Sequence, residues 1–201
     1  LARFGSGSLT LRFGLDAEAA SRLGALGYVS SSPAQPADGR RPDPKDRRAI
    51  AERLALVFSG ELTADRQEEA LRAVLREDPR NAQAHLRLGA MLSTRGDCAG
   101  ADAHLRAAIA AAVPSADPYI SLAFCLRAGG DARAAREVLA AARKVEPGNP
   151  VVEANLGLLA FDEGDVEDAI EALGAAVRTD PDLHEARFVL ARALARSGRI
   201  G

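Results

Sequence analysis

The stretch Leu156-Gly157-Leu158-Leu159-Ala160-Phe161-Asp162-Glu163-Gly164-Asp165, continued by Ala169, Leu173, Ala176 and Pro181, decides the architecture of this chain. Its landmarks recur at a spacing of 34 residues. Leu88, Leu122, Leu156 and Leu190 form one series, and Gly96, Gly130, Gly164 and Gly198 form another. Asp97, Asp131 and Asp165 follow the glycines, with Ala101, Ala135 and Ala169 four residues further on. Leu105, Leu139 and Leu173 keep the frame, as do Ala108, Ala142 and Ala176, and Pro147 and Pro181 close two of the units. So many coincident series at one period are the mark of a stack of repeated supersecondary units.

Each unit reads as two helices. In residues 82–95, Leu88 and Leu92 share a face with the small Gly89 at helical spacing. Gly96 then supplies a residue that tolerates the left-handed conformation at a helix end, and Asp97 is placed to cap the helix at 98–111. Gly164-Asp165 repeats this grammar, with Asp168 an acid in the first turn. Asn149-Pro150 is a start signal, a cap followed by proline at the first helical position. Gly89, Ala123, Gly157 and Ala191 follow the leucine of each first helix, and Ala101, Ala135 and Ala169 lie early in each second helix. Small side chains at both places predict close approach of the two helices. Ala108, Ala142 and Ala176 are suited to admit the first helix of the next unit. One helix pair cannot bury its apolar face alone, so the units must stack.

Leucine followed by Gly or Ala, Gly-Asp at the turn, spaced alanines and a closing proline resemble the tetratricopeptide repeat over about residues 46–201. The resemblance implies an all-α solenoid of helical hairpins. It divides into units near 48–81, 82–115, 116–149 and 150–183, a terminal helix at 184–197, and a preceding leader at 1–45. The first unit is degenerate: Pro79, Leu54, Ala55 and Leu71 fit the frame, but Gln67 replaces a small residue and Gly60-Glu61-Leu62-Thr63 makes a looser turn. The family's large aromatics are mostly replaced, with His85 and Glu153 at one usual tryptophan place and Tyr119 at another, so a lean core of Leu and Ala is expected. The terminal helix carries Arg187, Arg192 and Arg196 but keeps Val189, Leu190, Ala193 and Leu194, an imperfect polar cap.

With 201 residues the chain is long enough for a substantial core, and its 47% hydrophobic and 27% charged content is ordinary for a globular protein. A net charge of −2 argues against a general nucleic-acid binder. Of 26 basic residues only Lys45 and Lys144 are lysines, a bias that fits coding composition better than a binding device. No apolar run is long enough for membrane insertion, the alanine-rich 107–113 included. The chain opens at Leu1 without methionine or signal-peptide pattern, which reads as a fragment or processed product. Cys98 and Cys125 are the only cysteines. They lie in different units, and the expectation is two unpaired thiols, Cys125 in the core.

Ahead of the repeats, 8–13 alternates weakly as a strand would, Asp16–Leu26 reads as a capped helix stopped by Gly27, and 30–43, with Pro33, Pro36 and Pro42, has linker composition. Arg22-Leu23-Gly24-Ala25-Leu26-Gly27-Tyr28-Val29, the Pro-rich linker and Asp43-Pro44-Lys45-Asp46 together resemble the junction of bacterial proteins that fuse a sulfatase-type hydrolase to C-terminal tetratricopeptide repeats. That resemblance implies an accessory domain of a hydrolase, with the catalytic domain of the same parent chain as a partner and a periplasmic or extracellular setting. The chain itself carries neither a Cys/Ser-x-Pro-x-Arg nucleophile motif nor a metal-binding carboxylate cluster, and no cofactor is expected.

Other chemistry is sparse. His85 and His104 lie on paired helices, but no third ligand stands at metal spacing. Asp162-Glu163-Gly164-Asp165 lacks the ligand pattern of a calcium loop. One constellation remains. On each first helix, positions two before, two after and five after the buried leucine lie within about 40° of the opposite face. They are Glu52, Leu56 and Ser59; Leu86, Ala90 and Ser93; Ile120, Phe124 and Arg127; Ala154, Leu158 and Phe161; Phe188, Arg192 and Ala195. This largely apolar stripe holds three of the six phenylalanines. One reading is a concave hydrophobic groove for a peptide or partner segment, centred on Phe124, Leu158 and Phe161 and flanked by Arg127 and Arg192 for an acidic residue. The other reading is internal packing as the superhelix curls. Asn155 fits one place of a clamp for a terminal carboxylate, but the groove lacks lysine, which argues against that clamp. The chain is thus expected to be a non-catalytic protein-interaction scaffold, with a hydrolase accessory domain or a homo-oligomer formed through the C-terminal end as alternatives.

Overall fold

The computed structural model describes residues 44–198. Expectations for 8–13, 16–26 and 30–43, and most of the junction resemblance at 22–46, lie outside the described residues. Those that are described form helices joined by turns, with no strand among them. The helices are α1 (Pro44–Phe58), α2 (Ala64–Glu77), α3 (Ala82–Thr94), α4 (Cys98–Ala110), α5 (Asp117–Ala128), α6 (Ala132–Val145), α7 (Pro150–Glu163), α8 (Val166–Thr179) and α9 (His184–Arg196). They pair as antiparallel hairpins and stack into a tetratricopeptide-like solenoid.

The Gly-Asp turns do three jobs at once. Gly96, Gly130, Gly164 and Gly198 all have positive φ, between +73° and +91°, a region where a Cβ is costly. That geometry folds the chain back so that the next amide closes the finished helix. Asp97 N–H donates to Leu92 O, Asp131 N–H to Leu126 O and Asp165 N–H to Ala160 O, at 2.8–2.9 Å. The aspartate side chain then caps the following helix: Asp97 accepts from Gly100 N–H and Asp131 from Ala134 N–H, both at 2.9 Å. Asp165 departs from the expected cap. It makes no side-chain cap bond, and its carboxylate lies 4.0 Å from Arg136 instead. Asn149 does cap α7, accepting from Val151 and Val152 N–H at 2.9 and 3.2 Å.

The second helices end where proline dictates. Asp78, Glu146 and Asp180, each before a proline, share φ near −131° and ψ of 84–97°, because the ring of the next residue excludes the helical region. Unit two has Val113 at the proline position. Its turn is made by Ala112 at φ +52°, the one non-glycine residue with positive φ among those described.

Packing follows the small residues. A Cβ added at Gly89 would lie 2.8 Å from Leu105 Cδ2, and one at Gly157 2.6 Å from Leu173 Cγ, so these glycines let each first helix close onto the leucine of its second. Ala101, Ala135, Ala169, Ala108, Ala142 and Ala176 are fully buried, as are Leu88, Leu105 and Leu173, with Leu122 and Leu139 nearly so. In unit one Ala55 is exposed where Gly89 is buried, and the Gln67 side chain donates to Leu62 O at 3.0 Å, which fits its looser turn.

One expectation is overturned. Cys98 and Cys125 are not free thiols but form a disulfide, with Cα atoms 5.2 Å apart at a sequence separation of 27. The reason lies in the topology. Cys98 begins α4 just past the Gly96 turn, and Cys125 lies near the end of α5, which runs antiparallel to α4. Both residues therefore fall at the same end of the stack.

Candidate functional site

Neighbouring odd-numbered helices touch: α3 with α5, α5 with α7, α7 with α9. On the other side, α6 and α8 stand apart across a cleft of about 640 Å³ lined by Arg136, Arg143, Asp168 and Glu171 among others. The stack therefore curls with its odd helices on the inside. The cleft's arginines are neutralised locally, Arg136 by Glu163 and Arg143 by Glu153 at 2.6 Å.

The inner face carries the apolar stripe, and the structure divides it. Part of it is internal packing. Ala154 is only 7% exposed, and Ser93 is buried, its hydroxyl donating to Ser121 O at 3.3 Å. Ile120 packs on the α5–α7 core, and Leu158 and Phe161 pack on the α7–α9 core. Leu86 and Ala90 are half-buried. Asn155, the clamp position, donates one N–H of its side-chain amide to Val151 O at 2.8 Å. The rest of the stripe faces solvent: Leu56, Phe124 at 43% and Phe188 at 64% exposure, with Arg192.

The two arginines differ. Arg127 lies 3.7 Å from the Asp162 carboxylate and is partly compensated. The Arg192 guanidinium lies over the Phe161 ring, 4.9 Å from its centroid, and 5.8 Å from that of Phe188. No carboxylate pairs with Arg192 among the described residues. A second arginine–aromatic pair, Arg87 over Phe58 at 5.7 Å, joins α3 to α1 and was missed by the sequence reading. The frame places Phe58 with Leu92, a buried position, whereas Phe58 is half exposed.

His85 and His104 do meet, with Nδ1 atoms 2.9 Å apart. The second nitrogen of His85 faces Pro79 O at 3.0 Å. A carbonyl only accepts, so Nε2 of neutral His85 carries the proton, its Nδ1 accepts, and Nδ1 of His104 donates. Burial, then the positive charge His85 carries when protonated and that of Arg72, pull the His104 pKa below its ordinary value. The pair is a hydrogen-bonded strut between α3 and α4. Among the described residues no group of three or more His, Cys, Asp or Glu is arranged to hold a metal, and no helix is long and apolar enough to cross a membrane.

Comparison with known proteins fits this geometry. A family model of the tetratricopeptide repeat matches residues 68–118 and 154–201. Among solved structures, MamA superposes with a TM-score of 0.64 at 22% identity, covering 77% of this chain and 84% of MamA. YrrB, described as a tetratricopeptide-repeat protein with an unusual peptide-binding site, gives 0.59 at 18% identity over 77% and 84%. Pseudomonas aeruginosa pilF gives 0.62 at 23% identity over 76% and 69%. These likenesses establish the shared fold. No curated protein sequence matches the chain.

Proposed function

We propose that this chain is a non-catalytic interaction module that holds a segment of a partner protein against its odd-helix face. The observation that carries this reading is the exposure of Phe124 and Phe188 on a face that elsewhere packs inward. Large apolar side chains left in water on an inner surface favour a partner that covers them. Tetratricopeptide-type folds generally serve protein–protein interaction, and one protein of this architecture is described by its peptide-binding site. The contact residues proposed are Leu56, Phe124, Phe188 and Arg192, with Leu86, Ala90, Ile120, Leu158 and Phe161 forming the half-buried floor. Ala154 and Asn155 take a supporting part, and Arg127 a rim position paired with Asp162.

The test is selection of peptides from a random display library on the wild-type chain, followed by affinity measurement on Phe124→Asp. Helix content by circular dichroism should hold, because nearly half of the ring is already in water. Affinity should fall by about 2 kcal/mol or more, roughly thirtyfold in Kd. Equal affinity of wild type and folded mutant for every selected peptide would place the binding surface elsewhere.

A further inference from the structure

We infer that the α9 end of this face reads a side-chain carboxylate flanked by apolar residues. The partner is an acidic, apolar segment of another protein, and this rests on the interaction reading above. Two independent observations converge on it. The first is a charge census. Most arginines of α1–α8 have a carboxylate within ion-pair distance, among them Arg53, Arg106, Arg127, Arg136 and Arg143. On α9, Arg187, Arg192 and Arg196 have none among the described residues. Arg187 instead shares a hydrogen bond with His184 at 2.7 Å. The one acid of this helix, Glu185, stands in its first turn.

The second observation is how Arg192 is held. Its guanidinium rests against Phe161 and Phe188. Aromatic contact steadies the planar group while leaving edge N–H donors for an incoming acceptor. Two parallel N–H···O bonds to one carboxylate satisfy that edge. Phe188, the most exposed of the large hydrophobics described, offers a ring edge for the apolar neighbours of that carboxylate. Arg187 and Arg196 add positive potential that draws an acidic chain toward the site. The free-acid comparator below tests whether a terminal carboxylate serves as well as a side-chain one.

The experiment uses the full 201-residue chain and fluorescein-labelled ten-residue peptides, amidated at the C-terminus, in which glutamate alternates with leucine and phenylalanine. A glutamine version, a lysine version and a free-acid version serve as comparators. The glutamate peptide should bind saturably, with affinity falling as salt rises. The glutamine and lysine peptides should lose about tenfold or more, as should Arg192→Ala. Arg192→Lys should recover only part of the loss, since a point charge lacks the planar fork. The free-acid peptide should match the amide.

Unchanged binding by Arg192→Ala, or equal binding of the glutamine peptide, would overturn the carboxylate reading. If Phe124→Asp still weakens display-selected peptides in that case, the interaction face stands and only the acidic specificity falls. Failure of both would remove the face itself. A free-acid peptide that alone binds would move the specificity to a chain terminus. A salt-sensitive dimer displaced by the glutamate peptide would put a second copy of this chain in the site and overturn the assignment to another protein.

Discussion

Two glycines of the last hairpin give a matched pair of substitutions with opposite expected signs. At Gly157 an added Cβ would lie 2.6 Å from Leu173 Cγ, 3.0 Å from Leu173 N and 3.1 Å from Leu173 Cδ2. Carbon atoms pack at about 3.5–4.0 Å, so α7 and α8 must part by several tenths of an ångström at least. Overpacking of this kind costs about 1–3 kcal/mol. At Gly174 the new Cβ would meet only Arg178 Nη1 at 3.3 Å, the tip of a flexible side chain. Both glycines lie inside helices, so both substitutions gain the alanine propensity of about 0.8–1.0 kcal/mol. That gain cancels in the comparison. Gly174→Ala should therefore stabilise by about 1 kcal/mol and Gly157→Ala destabilise by roughly 1. The difference, about 2 kcal/mol, isolates the steric term. Urea denaturation with linear extrapolation reads it from the midpoints at unchanged m. Gly89→Ala should follow Gly157→Ala, since its Cβ would meet Leu105 Cγ and Cδ2 at 2.8 Å. If the Gly157 and Gly174 mutants shift alike, the hairpin glycines are not contact residues and the close-approach argument fails.

The remaining predictions concern the α4–α5 junction and the histidine strut. Reduction, or Cys98→Ala with Cys125→Ala, should cost about 3.5 kcal/mol by the loop-closure entropy of a cross-link across 27 residues; two free thiols titrated in the native chain under non-reducing conditions would sink that. Ala112→Gly should stabilise by up to about 1 kcal/mol, because relief of a left-handed alanine at about 1–2 kcal/mol exceeds the glycine entropy cost of about 0.5–1 kcal/mol, and a loss of stability would show that φ +52° is not strained here. His104 has a lowered folded pKa, so the unfolded chain takes up a proton first, near the ordinary value of 6.5. The contribution is complete above that pH and is lost as pH falls below it toward the folded value. Between about pH 7.5 and 5.5 the wild type should thus lose more stability in urea than His104→Gln, and parallel pH profiles would refute the strut.

The frame was legible because each of its positions answers to local geometry. Gly130 stands where φ must be positive, Asp131 where an amide needs a cap, and Ala135 where two helices touch, so one period carries many independent signals. Exposure of the stripe was less legible, because it depends on the neighbouring unit. Ala154 and Phe188 occupy the same place in the frame, yet one is buried and the other mostly in water. The odd helix beyond α7 covers the first, and none among the described residues covers the second. Arg127 with Asp162 and Phe161 with Arg192 are likewise contacts between residues about one repeat apart, which a helical wheel drawn for a single helix cannot show. The disulfide was readable in principle. The frame that set Cys98 past one turn and Cys125 shortly before the next already put both at one end of the hairpin stack, but spacing along the chain hid it.

Three exceptions to the repeat fall at one junction. Between α4 and α5 the closing proline is replaced by Val113, the turn runs through a left-handed Ala112, and α5 starts without a side-chain cap at Ala116. Each departure weakens the local instruction for where α5 should begin. Two contacts supply it from elsewhere. The Glu146 carboxylate, just past the end of α6, accepts from Ala116 N–H at 2.8 Å, and the Cys98–Cys125 bond ties the far end of α5 to the start of α4. In a solenoid, stability is a sum of unit and nearest-neighbour terms, so a weak junction sets where the array opens first. The covalent tie lies at a junction whose local signals are weakened, and α5 is the helix that presents Phe124. Holding α5 in register is therefore a condition for the inner face to exist as one surface rather than two.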